Sequence, residues 1–227
     1  MGQKIRPNSF RLGITYDWQA HWVPKKHKLG TLLEEDALIR KAIDAKIKPA
    51  GIDKVLIERV GDNCRISIRA ARPGLIIGRG GKGIEDLSDF IRKKIKNFRD
   101  EKKIKEALNI NINIEELKRS EISAAIIAQN IAWDIEKRKP YRRTLKKYID
   151  QIMQNKEVKG VKIKASGRLG GAEIARREQL SRGKLPLQTL RANIDYGEAT
   201  AFCIYGTVGI KVWVYKGLVW NYEVEPK

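Results

Sequence analysis

The sequence predicts an α+β protein built as two units, and three observations predict it. Strict alternation, as in Ile66-Ser67-Ile68 and Ile110-Asn111-Ile112, marks half-buried strands. Apolar residues three and four apart, as in Leu87, Ile91, Ile95 and Phe98, mark amphipathic helices. Near residue 117 the texture changes, from helices interleaved with strands to two helices followed by strands alone. With 227 residues and 42% hydrophobic content, the chain is long enough to bury real cores.

Residues 1–33 are rich in Lys, Arg, Gly, Pro and Trp without a sustained period, which predicts a basic, irregular arm whose Trp18 and Trp22 pack it onto a body or, as the less favoured reading, stack on bases. A helix is expected from about Glu34, with Glu34, Glu35 and Asp36 favouring the positive end of its dipole. Leu38, Ile39, Ala42 and Ile43 form its apolar stripe, and Pro49 and Gly51 end it. Lys54–Val60 and Cys64–Ala70 read as antiparallel strands joined at Gly61-Asp62-Asn63. A short helical stretch, a glycine loop, a helix over about Ile84–Phe98 and a strand from Leu108 to Ile114 complete a unit over 34–117.

Beyond it, Ser120–Arg138 reads as a helix that Pro140 stops. A second runs to about Gln154, with Leu145, Ile149 and Ile152 inward. Strands are expected at Val161–Ser166, Thr189–Tyr196, Ala199–Tyr205 and Gly209–Lys216, giving a unit over 118–217 with two helices packed on an antiparallel sheet. Residues 218–227 form a tail without an assigned role.

Charge narrows the function. The chain carries 47 Lys plus Arg against 27 Asp plus Glu, a net charge of +20. A compact body with that excess repels itself, and a polyanion relieves it, with nucleic acid the leading candidate. An anionic membrane is disfavoured: no apolar run reaches 18 residues, the first residues lack a secretory apolar core, and Arg6 breaks the myristoylation pattern. Two cysteines, Cys64 and Cys203, and two histidines, His21 and His27, match no zinc spacing, so no metal is expected. The cysteines read as buried, reduced thiols.

The stretch Arg72–Leu87, RPGLIIGRGGKGIEDL, decides between two chemistries. Gly78-Arg79-Gly80-Gly81-Lys82-Gly83 satisfies the dinucleotide pattern G-x-G-x-x-G, but Pro73 and Gly74 interrupt the strand that must precede it, and no second buried strand supplies a ribose acid. No Gly-Lys-Ser/Thr follows either, so no nucleotide cofactor is expected. Gly78-Arg79-Gly80-Gly81 instead suits the G-x-x-G clamp of a KH module, where glycines admit an RNA backbone and helix amides face its phosphates. Arg72, Arg79 and Lys82 add charge, and Ile76 and Ile77 would form an apolar floor for bases.

One helix and two strands before the loop, and one helix and one strand after it, resemble the type II KH fold. The segments GQKIRPNSFRLGI, ARPGLIIGRGGKGIE, SGRLGGAEIARREQLSRGKLPLQTLRANIDYG and YGTVGIKVWVYKG resemble small-subunit ribosomal proteins of the S-three family, bacterial or organellar type, over Gly2 to about Gly217. The resemblance implies a structural component of the small-subunit head, without an ATPase of its own and not an enzyme. The implied partners are the head domain of the small-subunit rRNA, mRNA, and the neighbouring proteins S-ten and S-fourteen, with S-four and S-five at the channel where mRNA enters. It implies a cytoplasmic, ribosome-bound location, with an organellar ribosome the alternative. A KH-type regulator outside the ribosome is the competing reading, and a dinucleotide enzyme the remote one.

Three basic groups then become candidate RNA contacts. In KRKPYRRTLKKYID, Arg142 and Lys146, and Arg143 and Lys147, are like charges at i,i+4, which cost a helix about 0.2–0.5 kcal/mol per pair unless a polyanion lies beside them. The resemblance maps Arg142, Arg143 and Lys146 onto positions linked to mRNA entrance and unwinding, with Lys147 a basic neighbour. Arg168, Arg176, Arg177 and Arg182 surround a glycine-rich segment and suit bidentate phosphate contacts, with Glu173 and Glu178 to orient them. In the arm, Lys4, Arg6 and Arg11 are expected to touch rRNA.

Overall fold

The computed structural model describes residues 4–24, 29–61, 63–102, 109–117 and 122–220. The expectations for His27, Asp62, Leu108, Ser120 and the tail from residue 221 lie outside the described residues. In chain order the elements are α1 (Pro7–Phe10), β1 (Ala20–His21), α2 (Leu29–Ile47), β2 (Ile52–Val60), β3 (Asn63–Ala70), α3 (Pro73–Ile77), α4 (Lys82–Glu101), β4 (Asn109–Glu116), α5 (Ala124–Glu136), α6 (Tyr141–Met153), β5 (Gly160–Gly167), β6 (Arg176–Gly183), β7 (Ala192–Cys203) and β8 (Gly206–Leu218). They form two compact units. One is Gln19–Lys118, and the other joins Met1–Trp18 to Arg119–Lys227.

The expected arm over 1–33 is therefore divided between the two units, and its last residues belong to α2. Gln19 onward joins the first unit, where β1 adds a parallel edge to β2 and the Gln19 carbonyl accepts from the Ile57 amide at 3.0 Å. Two residues of extended chain are too few to leave an alternation in the sequence.

In the Gln19–Lys118 unit the sheet order is β1-β2-β3-β4, with β2 antiparallel to β3 and β3 parallel to β4. Ile57, Ile66, Ile68 and Ile110 pack beneath α2 and α4 against Ile39, Ile43, Leu87, Ile91 and Ile95. The parallel β3–β4 pair needs a crossover, and α3 and α4 provide it.

The acids expected to start a helix do something else. Because α2 begins at Leu29, Glu35 and Asp36 stand in its second turn and are buried. Glu35 accepts from Arg59 Nη1 at 2.7 Å and from Arg99 Nε at 2.7 Å. Asp36 accepts from Arg59 Nη2 at 2.5 Å and from Trp22 Nε1 at 2.8 Å. Two carboxylates against two guanidiniums leave no net buried charge, which is the condition for such a cluster to be tolerated. Burial pulls the Arg59 guanidinium down, but its bonds to Glu35 and Asp36 outweigh this and the net shift is upward.

In the other unit the sheet is antiparallel, in the order β6-β5-β8-β7. Helix α5 packs on β7 and β8, and α6 on β5 and β6. Leu145, Ile149 and Ile152 meet Val161, Ile163, Val212 and Val214. Two expected strands, Thr189–Tyr196 and Ala199–Tyr205, are one continuous β7. Gly197 is no turn: a Cβ there would stand 2.4 Å from the Ala124 carbonyl, so the glycine lets the start of α5 lie on the strand. Asp195 Oδ2 accepts from the Ala124 amide at 2.8 Å, adding to the cap that Ser123 supplies. The glycine-rich segment 167–183, to which the sequence assigns no strand, contains an edge strand, β6. Its sequence, RREQLSRG, is polar on both faces except at Leu180, so its period was hidden.

Candidate nucleic-acid interface

The glycine corner lies between α3 and α4. Gly78, Gly80 and Gly81 have φ of 69°, 62° and 82°, the left-handed region that side chains other than glycine's avoid. This run of turns ends one helix and starts the next within four residues. No Cβ clash occurs at Gly80 or Gly81, so backbone conformation rather than crowding demands glycine there, and the space above them is open.

The 20-residue α4 has no side-chain cap, so its first-turn amides are not bonded by one. An uncapped helix start with an open approach can take a phosphate. Arg72, Arg79 and Lys82 are exposed around it. Sequence reasoning met Gly83 only as the last glycine of the dinucleotide pattern and gave it no part in the corner. A Cβ there would stand 2.3 Å from the Ile76 carbonyl oxygen, so Gly83 allows α4 to lie against α3 and sets the corner's shape. The expected apolar floor needs correction. Ile76 is buried in the core under the sheet, and the exposed apolar residues of α3 are Leu75 and Ile77.

On α6, Arg142, Arg143, Lys146 and Lys147 are exposed while Thr144, Leu145 and Ile149 are buried. The face is not uniformly unpaired. Arg142 donates through Nη2 at 2.9 Å and Nε at 3.3 Å to Glu178 of β6, and the Tyr141 hydroxyl donates to the same carboxylate at 2.8 Å. These bonds, Arg142's first, hold the Glu178 carboxyl below its ordinary range. Among the described residues no carboxylate forms an ion pair with Arg143 or Lys146. With Lys147, which likewise has no ion pair among the described residues, they are the face's available cations.

The strand β6 sorts its arginines by alternation. Arg176, Glu178 and Arg182 share the face toward α6, where Arg182 Nη1 donates to Asp150 at 2.8 Å. Arg177 points to the opposite face. Arg168 uses two donors locally, to the carbonyls of Ala172 at 2.9 Å and Tyr205 at 3.0 Å, and so shapes the loop.

The N-terminal cations divide. Lys4 and Arg6 are exposed, and Arg6 pairs with Glu198. Arg11 is fully buried, and its role as an rRNA contact is overturned. Its guanidinium donates to the carbonyls of Ala192, Leu187 and Thr189 at 2.8, 2.8 and 2.9 Å and to that of Pro7 at 3.2 Å. A buried guanidinium with four of its five N–H donors committed to backbone oxygens is closed to a phosphate. In sequence it looked like its exposed neighbours, because burial of a charged residue leaves no local mark.

Among the described residues no cluster of His, Cys, Asp and Glu could hold a metal, and no helix is long and apolar enough to cross a membrane. Cys64 and Cys203 are free thiols, the first buried and the second partly so.

Comparison with known proteins locates these features. A KH domain profile matches residues 38–122, and a profile for ribosomal protein S3, C-terminal domain, matches residues 131–214. The small ribosomal subunit protein uS3 of Clostridium novyi is 48% identical over 219 residues, which cover 96% of this chain and 94% of that protein. The uS3 of Sulfurihydrogenibium sp. is 45% identical over 217 residues, 96% and 91% of the two chains. That of Clostridium tetani is 45% identical over 227 residues, 100% and 98%.

Proposed function

The chain belongs to the uS3 family of small-subunit ribosomal proteins, and from that premise we propose that its two basic surfaces grip two kinds of RNA. As a family member it is a non-enzymatic, RNA-binding structural protein of translation, carrying a KH domain. In this reading the corner formed by Arg72, Gly78, Arg79, Gly80, Gly81 and Lys82 clamps an RNA backbone. The exposed face of α6, with Arg142, Arg143, Lys146 and Lys147, contacts mRNA where it enters the small subunit. It resists and melts structure there by electrostatic grip alone. Lys4, Arg6, Arg168, Arg176, Arg177 and Arg182 bind rRNA of the head. The neighbours would be S-ten and S-fourteen, with S-four and S-five at the mRNA channel, on ribosomes of the cytoplasm.

The observation that carries the α6 reading is its sidedness. Leu145, Ile149 and Ile152 are buried on one side, and Arg143 and Lys146 lie unpaired by carboxylates on the other. Like charges at this spacing oppose an isolated helix, and a phosphate chain removes the opposition. Replacement of Arg143 and Lys146 by Ala tests it on reconstituted small subunits. Slower passage through a structured mRNA with normal subunit assembly is expected. Failed assembly with normal passage of the surviving subunits would reassign the face to rRNA.

A further inference from the structure

Helices α5 and α6 cover one face of the antiparallel sheet, and the other face carries its own charge pattern. There Lys164 of β5 lies directly opposite Lys211 of β8. Lys162 stands two residues along, with its ammonium 5.8 Å from the Trp213 ring centre. Arg177 of β6 lies across from Ser166 on the same face.

Like charges placed directly opposite on neighbouring strands destabilise a sheet. Among the described residues of these strands, the acid on this face is Glu198, opposite Lys211. Arg6 and the Tyr196 hydroxyl already hold its carboxylate. Beside the lysines, Ser166, Gly209 and Thr200 form a low row across three strands, which lets a chain approach the sheet closely. At the other end of the lysines, Tyr196 and Trp213 pack with ring centres 5.4 Å apart and planes tilted by 48°.

We propose that this face, opposite to α5 and α6, is a further RNA-binding surface, with Lys162, Lys164, Lys211 and Arg177 contacting the phosphates of an unpaired segment. It rests on the RNA-binding reading above but uses a face opposite to α6. Of its residues only Arg177 belongs to the groups already assigned. The phosphates supply the attraction that the opposed lysines otherwise lack. The aromatic pair at the border gives a base a ring on which to stack, an interaction open to unpaired strands and indifferent to sequence. A low floor beside a row of cations suits a flexible phosphate chain.

The test is a salt titration of the full chain binding an unstructured oligouridine, followed by fluorescence anisotropy. The log–log slope for single strands falls by about 0.7 for each phosphate that is no longer neutralised. The variant K164Q/K211Q is expected to lower the slope by about 1.4, twice that value, and K164R/K211R to leave it unchanged. Because K164Q/K211Q removes a repulsion, its melting temperature should equal or exceed that of the parent. A parental slope in K164Q/K211Q overturns the proposal while leaving the α6 and KH contacts in place. So does a parental slope combined with weakened binding to a neighbouring acidic protein, which would make the face a protein-docking surface. If K164Q/K211Q melts lower, the single variant K164Q decides instead, with an expected fall of about 0.7 and the same overturning outcome. Salt-independent binding by the parent chain would instead sink the RNA-binding reading as a whole.

Discussion

Arg11 Nε donates to the Ala192 carbonyl oxygen at 2.8 Å, joining residues 181 positions apart. The bond belongs to a cradle that also includes the carbonyls of Leu187, Thr189 and Pro7. Around it Asn8 reaches the Tyr196 carbonyl at 3.4 Å and the Tyr16 hydroxyl reaches Asn193 at 3.1 Å. Burial pulls the Arg11 guanidinium's pKa down from its ordinary value, yet an arginine stays charged at any physiological pH. The N-terminal segment is thus part of its unit's fold.

Replacing Arg11 by Met is expected to leave several buried carbonyls unsatisfied, a cost on the order of 3 kcal/mol. Arg11→Lys keeps the charge but loses the planar fork and should recover only a fraction. Hydrogen exchange at the Ile14, Thr15 and Tyr16 amides, all bonded to the Arg11 carbonyl, reports whether the segment comes loose. Unchanged protection in Arg11→Met would show that the cradle is not what holds it.

The glycine corner separates shape from contact. Gly83→Ala sets a methyl 2.3 Å from the Ile76 oxygen and should cost about 1–3 kcal/mol by forcing α3 from α4. Gly80→Asp meets open space, and Asp tolerates left-handed φ better than most residues. It should therefore fold normally and lose RNA affinity through its negative charge. Thermal melts paired with RNA titrations check both. A fully folded Gly80→Asp chain with undiminished RNA affinity would remove the corner from the RNA interface.

The buried cluster around Glu35 predicts a context effect. Glu35→Gln leaves Arg99 and part of Arg59 uncompensated and should destabilise the Gln19–Lys118 unit by about 3–5 kcal/mol. Removing charge from both sides, as in Glu35→Gln with Arg99→Met, should recover much of that loss. Urea midpoints of the two single variants and the double variant measure the coupling, and strict additivity would contradict it.

Burial pushes the Cys64 thiol up to about 11. A thiol titrates near pH 8.5 when unfolded, so the contribution is whole below that value. As pH rises from there through about 11 the unfolded chain ionises first and stability falls. Tyr148 and Tyr196, raised mainly by burial to about 12, act in the same direction only at higher pH. Cys64→Val should flatten the stability profile between about pH 8.5 and 10. A maleimide should label Cys203 in the folded chain and Cys64 only after unfolding.

Much of the fold was legible where local periodicity matched burial. The stripe of Leu87, Ile91 and Ile95 and the alternation of Ile66 with Ile68 appear in the core as expected, because one face of each element is apolar and the other is not. The readings failed where that contrast is missing. β6 is an edge strand with little to bury, β1 is two residues long, and Gly197 interrupts a pattern in β7 without interrupting the strand. Among candidate site residues, exposure was legible for Arg143 and Lys146, which lie on the polar side of an amphipathic helix. Arg11 looked the same in sequence and proved buried.

By itself the sequence determined the α+β class, the excess of positive charge and the glycine corner, since periodicity, net charge and left-handed backbone are all properties of short stretches. Only the tertiary structure decided which cations stay available. Arg11 meets a carbonyl 181 residues away, Glu35 meets Arg99 across 64 residues, and Lys164 meets Lys211 across a strand pair. A charge is neutralised or left free by what the fold brings beside it, and separation along the chain carries no record of that.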